Sequence, residues 1–239
     1  MADGIYAAAA GMAAQQTRLE AIANDLANAG TAGYKSERVG FKDLVYGSVD
    51  GVAVGSGAAA VDAGPSMVQG TLTDSSDPLS LALDGPGFFQ IRRADGSTGL
   101  TRDGDFMLDA AGNLVTSQGE QLVPPIKVPA GVQPKNVTVA ADGTVSAPGR
   151  TLGKLQIVDV PSPNGLLAVG SSTFLATAAS GAAAPARGTQ VKQHQLEASN
   201  VDTAEAMTDL LDAQQTYTLA SRALSIQDQM LQIANQIKN

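Results

Sequence analysis

At 239 residues the chain is long enough for one large domain or two modest ones. Its net charge of −8, with no Lys/Arg cluster, argues against a nucleic-acid groove or a basic membrane-binding face. The absence of cysteine excludes disulfides and thiolate metal sites, and no apolar run is long enough for a transmembrane helix. Aromatics are 4 % of the chain, Trp is absent, and much of the apolar content is Ala, so a large aromatic core is not expected. Glycine, at 26 residues, exceeds the usual share of about 7 % and suits a turn-rich β region.

The first predicted element is a helix within residues 1–30. Ile5, Met12, Leu19 and Leu26 recur every seven residues, with Ala8, Ala9, Ile22 and Ala23 between them. Gln15 and Gln16 interrupt the stripe, and Gly11 costs helix stability. Asn28-Ala29-Gly30 reads as the stop, because Gly accepts the left-handed conformation that follows a helix. The Ala7–Ala10 run resembles the core of a signal peptide. Asp3 and the late first basic residue, Arg18, argue against one, so this segment is expected to be retained.

Residues 31–75 read as an extended or hinge segment. Tyr34, Phe41, Leu44, Val45 and Tyr46 give the first part enough apolar surface to pack, as an extended stretch or a short helix. Ser48 to Pro65 is dominated by Gly, Ala, Val and Ser and reads as a flexible loop or hinge. Residues 76–180 form a predicted β domain. Leu79, Leu81 and Leu83 alternate, as do Phe106 with Leu108 and Val137 with Val139, and Phe88-Phe89-Gln90-Ile91 is a strand candidate. Asp95-Gly96, Asp103-Gly104 and Asp142-Gly143 are expected hairpin turns. Leu155, Ile157 and Val158 make the last strong strand. Residues 181–190, rich in Ala, Gly and Pro, read as a linker to a C-terminal helical segment over 191–239.

The C-terminal helix carries the cleanest pattern in the chain. Asp202 is its expected N-cap, with Glu205 three residues on as in a capping box. Leu210, Tyr217, Leu224 and Leu231 are spaced seven apart, with Ala206, Ala213, Ala220 and Ala234 beside them. Leu219, Ile226 and Ile233 form a second row at the same period. Two readings follow: both terminal helices bury their stripes in one monomeric core, or they form a seam with apolar surface left for neighbouring subunits. The second row favours the seam, since one partner helix covers one stripe. The fold class is α+β, with long N- and C-terminal helices pairing as a coiled coil around an all-β middle domain.

No catalytic constellation stands out. His194 is the only histidine, and no nucleophile elbow, zinc motif or phosphate loop is present. Gly55-Ser56-Gly57 has neither the strand nor the helix a dinucleotide turn needs. Asp103, Asp105 and Asp109 miss the spacing of a calcium loop and read as turn residues. Asn136-Val137-Thr138 matches a glycosylation acceptor, a pattern that arises readily by chance. No cofactor and no metal are expected.

Three stretches resemble the axial rod and hook proteins of the bacterial flagellum. They are Ala23-Asn24-Asp25-Leu26-Ala27-Asn28 through Gly33-Tyr34-Lys35; Gly85-Pro86-Gly87-Phe88-Phe89 with Thr101-Arg102-Asp103-Gly104-Asp105-Phe106 and Asp109 to Val115; and Leu196-Glu197-Ala198-Ser199-Asn200-Val201-Asp202 with Ala213 to Tyr217 and Asp228 to Leu231. Their order is that of the family, and they span nearly the whole chain. Gln15-Gln16, Phe41 to Tyr46 and Asp228 to Leu231 are closest to its distal rod members, with the proximal rod proteins as near relatives. Asp25 departs from the Asn usual in the first signature, and the segment after Tyr46 is short and Gly/Ala-rich.

The resemblance implies a non-enzymatic structural subunit of the basal-body rod. It would be exported without signal cleavage through the flagellar export apparatus and would transmit torque from motor to hook. Its implied partners are copies of itself, other rod proteins and the hook protein, with no nucleic acid and no small-molecule substrate. Ile5, Met12, Leu19, Ile22 and Leu26 would meet Leu210, Tyr217, Leu224 and Leu231 along the seam. Leu219, Ile226 and Ile233 would face neighbours, as would Asn24 and Asn28, whose amides can equally cap their own helix end. Two other readings remain: a secreted enzyme with a carboxylate site on the β domain, and a soluble binding module whose helices close into a monomeric bundle.

Overall fold

The structure, a computed structural model, describes residues 2–49, 52–170 and 172–238; the side chains of 2–6, 45–49, 52–56, 227, 228, 231 and 234–238 lie outside that description. The chain divides into two compact units. Unit 1 comprises residues 1–27, 37–63 and 202–239, and unit 2 residues 28–36 and 64–201.

Unit 1 holds helix α1 (Ala2–Ala27), the paired strands β1 (Glu37–Val49) and β2 (Val52–Pro65), and helix α2 (Thr203–Lys238). At 36 residues, α2 runs about 54 Å at 1.5 Å per residue. Asp202 caps it as its position predicts: its carboxylate accepts the N–H groups of Ala204 (2.9 Å) and Glu205 (3.2 Å). The helix α1 packs against α2 and against β1. The Arg18 guanidinium reaches from α1 to Asp209 (3.1 Å) and Asp212 (3.4 Å) on α2. These carboxylates are half exposed or more, so the bridge orients the pair more than it stabilises it.

The strand β2 corrects the sequence reading, which made Ser48 to Pro65 a loop. Composition misleads here because small residues are needed for packing. Gly57 has φ +106°, and a Cβ there would press on the Ala7 backbone of α1 at about 3 Å. Small residues therefore let the hairpin lie close to the helix, where large β-branched residues would have announced a strand.

Unit 2 contains the remaining strands: β3 (Leu72–Asp74), β4 (Leu81–Asp84), β5 (Phe88–Arg92), β6 (Thr98–Thr101), β7 (Phe106–Leu108), β8 (Leu114–Thr116), β9 (Gln121–Leu122), β10 (Thr138–Val139), β11 (Thr144–Ala147), β12 (Arg150–Lys154), β13 (Ile157–Asp159), β14 (Leu167–Ala168), β15 (Thr173–Leu175), β16 (Ala184–Pro185), β17 (Gln190–Gln193) and β18 (Gln195–Glu197). The main sheet runs β14-β15-β6-β5-β9-β8-β7, with β13 pairing β5 and β16. The strands β10-β11-β12 form a second sheet, and β17 pairs β4 while β18 pairs β3.

Adjacent side chains of a strand point to opposite faces, and β5 uses this to divide the core. Phe89 and Ile91 join Leu81, Leu83, Phe106, Leu114 and Val145 on one side, while Phe88 joins Leu100, Val158 and Phe174 on the other. Edge-to-face rings mark both sides: Phe89 on Phe106 at 5.2 Å and Phe88 on Phe174 at 6.0 Å.

The turns Asp95-Gly96 and Asp142-Gly143 close hairpins β5–β6 and β10–β11, as expected. The Asp142 carboxylate accepts the Thr144 N–H (3.0 Å) and hydroxyl (2.8 Å), bonds that hold it below the usual carboxylate range. Asp103-Gly104 differs. It closes no hairpin; instead the Gly104 carbonyl accepts the Leu81 N–H at 3.0 Å. The C-terminal boundary also differs. Residues 191–197, read as part of the helical segment, belong to unit 2, where β17 and β18 occupy nearly all of them, and β16 lies in the expected linker. Only Val191 in β17 joins the core, so these strands lacked an alternating apolar signal.

Candidate assembly surface and a buried ion knot

The predicted seam residues fall on the two helices that pack together in unit 1. On α1, Ile22 is buried and Met12, Leu19 and Leu26 are half-buried. On α2, Leu210, Tyr217 and Leu224 are half-buried and Ala213 is fully buried beside them. The side chains of Ile5 and Leu231 lie outside the described residues. The second row behaves differently. Leu219 is 64 % exposed, and Ile226 and Ile233 are each 55 % exposed. Met207, Leu211 and Met230 of α2 are also more than half exposed. Soluble monomers seldom leave a long apolar row open to water.

Asn24 is exposed near the end of α1, and the Asn28 side-chain oxygen accepts the Thr31 hydroxyl at 3.2 Å. Asn28 is therefore engaged in its own turn, where the Thr31 N–H also meets the Asn28 carbonyl at 3.0 Å. Two of the three aspartates weighed as a calcium loop spend their carboxylates locally. Asp103 accepts the Asp105 N–H, and Asp109 accepts the N–H groups of Ala111 and Asn113.

Unit 2 holds a feature that sequence reading missed. Glu197, on β18, is wholly buried, with Lys35 on one carboxylate oxygen and Arg102 on the other at 3.1 Å. The Gly70 N–H also donates to the Lys35-bound oxygen, at 3.0 Å. Lys35 donates to the Val68 carbonyl at 2.8 Å, and Arg102 to the Gly85 carbonyl at 2.8 Å. The Arg102 guanidinium also lies 5.4 Å from the centre of the Phe88 ring. Asn200 completes the knot, accepting the Ser36 N–H at 2.8 Å and donating to the Ser66 and Val68 carbonyls. Gly33, at φ +66°, passes so close to the Arg102–Asp103 peptide that a Cβ would overlap it, and its N–H donates to the Glu197 carbonyl at 2.7 Å.

Two buried cations thus share one buried carboxylate. Burial pushes the Lys35 ammonium below the usual lysine range, and the Arg102 charge adds to this; the hydrogen bond and charge of Glu197 oppose it. Burial likewise lowers Arg102, again against the pull of Glu197. The Glu197 carboxylate, the Lys35 ammonium and the Arg102 terminal nitrogens are spent on one another and on backbone, while the buried Arg102 Nε has no hydrogen-bond partner among the described residues; the knot ties segments far apart in sequence. The signal that could have revealed it was charge inside the three signature stretches, each of which supplies one member.

Comparison with known proteins follows the same division. Residues 5–35 match the family model "Flagella basal body rod protein", residues 82–147 the "Flagellar hook protein FlgE/F/G D1 domain", and residues 192–237 the "Flagellar basal body rod FlgEFG protein C-terminal". Lys35, Arg102 and Glu197 fall one in each match. The chain is 36 % identical to the flagellar basal-body rod protein FlgG of Caulobacter vibrioides, over 99 % of this chain and 100 % of that one. It is 38 % identical to FlgG of Agrobacterium fabrum, over 95 % and 96 %. The rod protein FlgF of Salmonella typhimurium matches at 31 %, over 99 % and 98 %. With relatives matched along nearly their whole length, the chain belongs to the FlgG family of flagellar basal-body rod proteins.

Proposed function

We propose that the chain is a structural subunit of the distal rod of the flagellar basal body, which self-assembles into a tube and transmits torque from motor to hook. The observation that carries the assembly reading is the open apolar row of α2, with Leu219, Ile226 and Ile233 each more than half exposed. Burying such side chains stabilises by about 25 cal/mol per Å² removed from water, repeated in every subunit. In this reading α1 and α2 supercoil along Ile5, Met12, Leu19, Ile22, Leu26 and Leu210, Tyr217, Leu224, Leu231, and the second row meets neighbouring copies. Asn24 and Asn28 lie where a neighbour would approach. Other rod proteins and the hook protein meet the ends of the stack, and the flagellar export apparatus delivers the chain. The role is mechanical, with no reaction catalysed.

The FlgF match gives a second reading, a proximal rod subunit. Deletion of the gene followed by electron microscopy of isolated basal bodies separates the two. The distal reading expects a long rod stub with no hook or filament, and the proximal reading a short stub. Complete, rotating flagella would overturn both.

A further inference from the structure

The open row of α2 has a counterpart on α1. Along α2, Leu219, Arg222, Ile226, Met230 and Ile233 follow one another at intervals of three or four residues and so share one side of the helix. All are exposed, and all but Arg222 are large and apolar. Arg222 makes no ion pair among the described residues. On α1, Ala9, Ala13, Gln16, Glu20 and Ala23 recur at the same intervals and are exposed as well. Three alanines make this a shallow face, which lets a second helix come close. Its charge is Glu20, whose carboxylate accepts the Gln16 amide at 3.0 Å and makes no ion pair among the described residues. The other described charges of α1 are engaged elsewhere: Arg18 is tied to Asp209 and Asp212, and Asp25 is buried.

The two faces match in register. With the helices antiparallel and Arg222 opposite Glu20, Leu219 meets Ala23, Ile226 meets Gln16, Ile233 meets Ala9, and Met230 meets Ala13 within one residue. Most of the large apolar groups thus fall against small ones, as interdigitating packing requires, and cation falls against anion. A parallel pair centred on the same charges would carry Met230 and Ile233 past Ala27, where α1 ends. Both faces are open in the folded chain, so neither covers the other within one copy. We propose that the exposed row of α2 docks antiparallel on the exposed face of α1 of a second copy of this chain, with Arg222 paired to Glu20. The docking rests on the assembly reading above and names the surface that covers the row. The charge pair fixes the register: a slip of one turn sets Arg222 against Gln16 or Ala23 and leaves both charges dehydrated without a partner.

Disulfide trapping tests the docking, because the natural chain has no cysteine. Ala23→Cys chains and Leu219→Cys chains, each with one thiol, are co-expressed in a deletion strain; the isolated rods are oxidised and run on a denaturing gel. The mixture is expected to give several-fold more cross-linked dimer than either variant alone. Rods without that dimer, or a dimer from Thr17→Cys with Leu219→Cys in its place (the parallel register), would overturn the docking and leave assembly through the α2 row standing. Charge exchange decides independently of the thiols. Glu20→Arg and Arg222→Glu are each expected to lower the number of rods several-fold without shifting thermal unfolding of the purified chain. The two exchanges in one chain are expected to restore it. Single variants with normal rod numbers, or a double variant no better than the singles, would overturn the pairing.

Discussion

Replacing Glu197 with Ala is expected to destabilise unit 2 by about 3–5 kcal/mol, the cost of leaving buried charge uncompensated. The substitution strands two cations, since Lys35 and Arg102 both depend on that carboxylate and are 1 % and 6 % exposed. It also removes the acceptor for the Gly70 N–H. Lys35→Met is expected to cost far less, about 1 kcal/mol or below. Glu197 then keeps Arg102 as its ion-pair partner and the Gly70 N–H as a donor, and the Val68 carbonyl keeps the Asn200 amide. Urea unfolding followed by circular dichroism measures both. Equal losses in the two variants would mean that the knot is held by packing and not by its charge balance.

The double substitution Leu219→Asp with Ile226→Asp is expected to abolish rod assembly while changing monomer stability by no more than about 0.5 kcal/mol, the usual range for surface positions. Both side chains are already open to water, so the folded chain loses little. An interface loses two apolar contacts and acquires two charges that would have to be dehydrated. Leu224→Asp makes the contrast. Leu224 is half-buried on the seam side of α2, so this variant blocks assembly through the helix pair and leaves unit 2 folded. Complementation of a deletion strain, scored by counting rods in micrographs, reads assembly; thermal unfolding of the purified chains reads stability. Normal rods from the double variant would remove the second row from the interface.

What could be read from sequence depended on whether a residue's role repeated along the chain. The helices were legible because Met12, Leu19 and Leu26, and Leu210, Tyr217 and Leu224, recur at helical period. The Asp-Gly hairpins were legible because their chemistry is local: Asp142 binds the backbone two residues on. The hairpin β1–β2 was not, since Gly57 and its small neighbours serve close approach to α1 and look like linker. Nor were β17 and β18, where His194 stands at φ +61° between the two strands and breaks any alternation. The knot was least legible. Lys35, Arg102 and Glu197 each look like ordinary surface charge, and only the fold brings them together.

The most direct test of the central claim uses the absence of cysteine from the natural chain. An Ile226→Cys variant carries a single thiol in the exposed row of α2, and its reaction with a maleimide can be timed in the purified monomer and in isolated basal bodies. The assembly account predicts rapid labelling of the monomer and strong protection in the rod, because a neighbouring copy covers that face. Equal labelling in both states would contradict it.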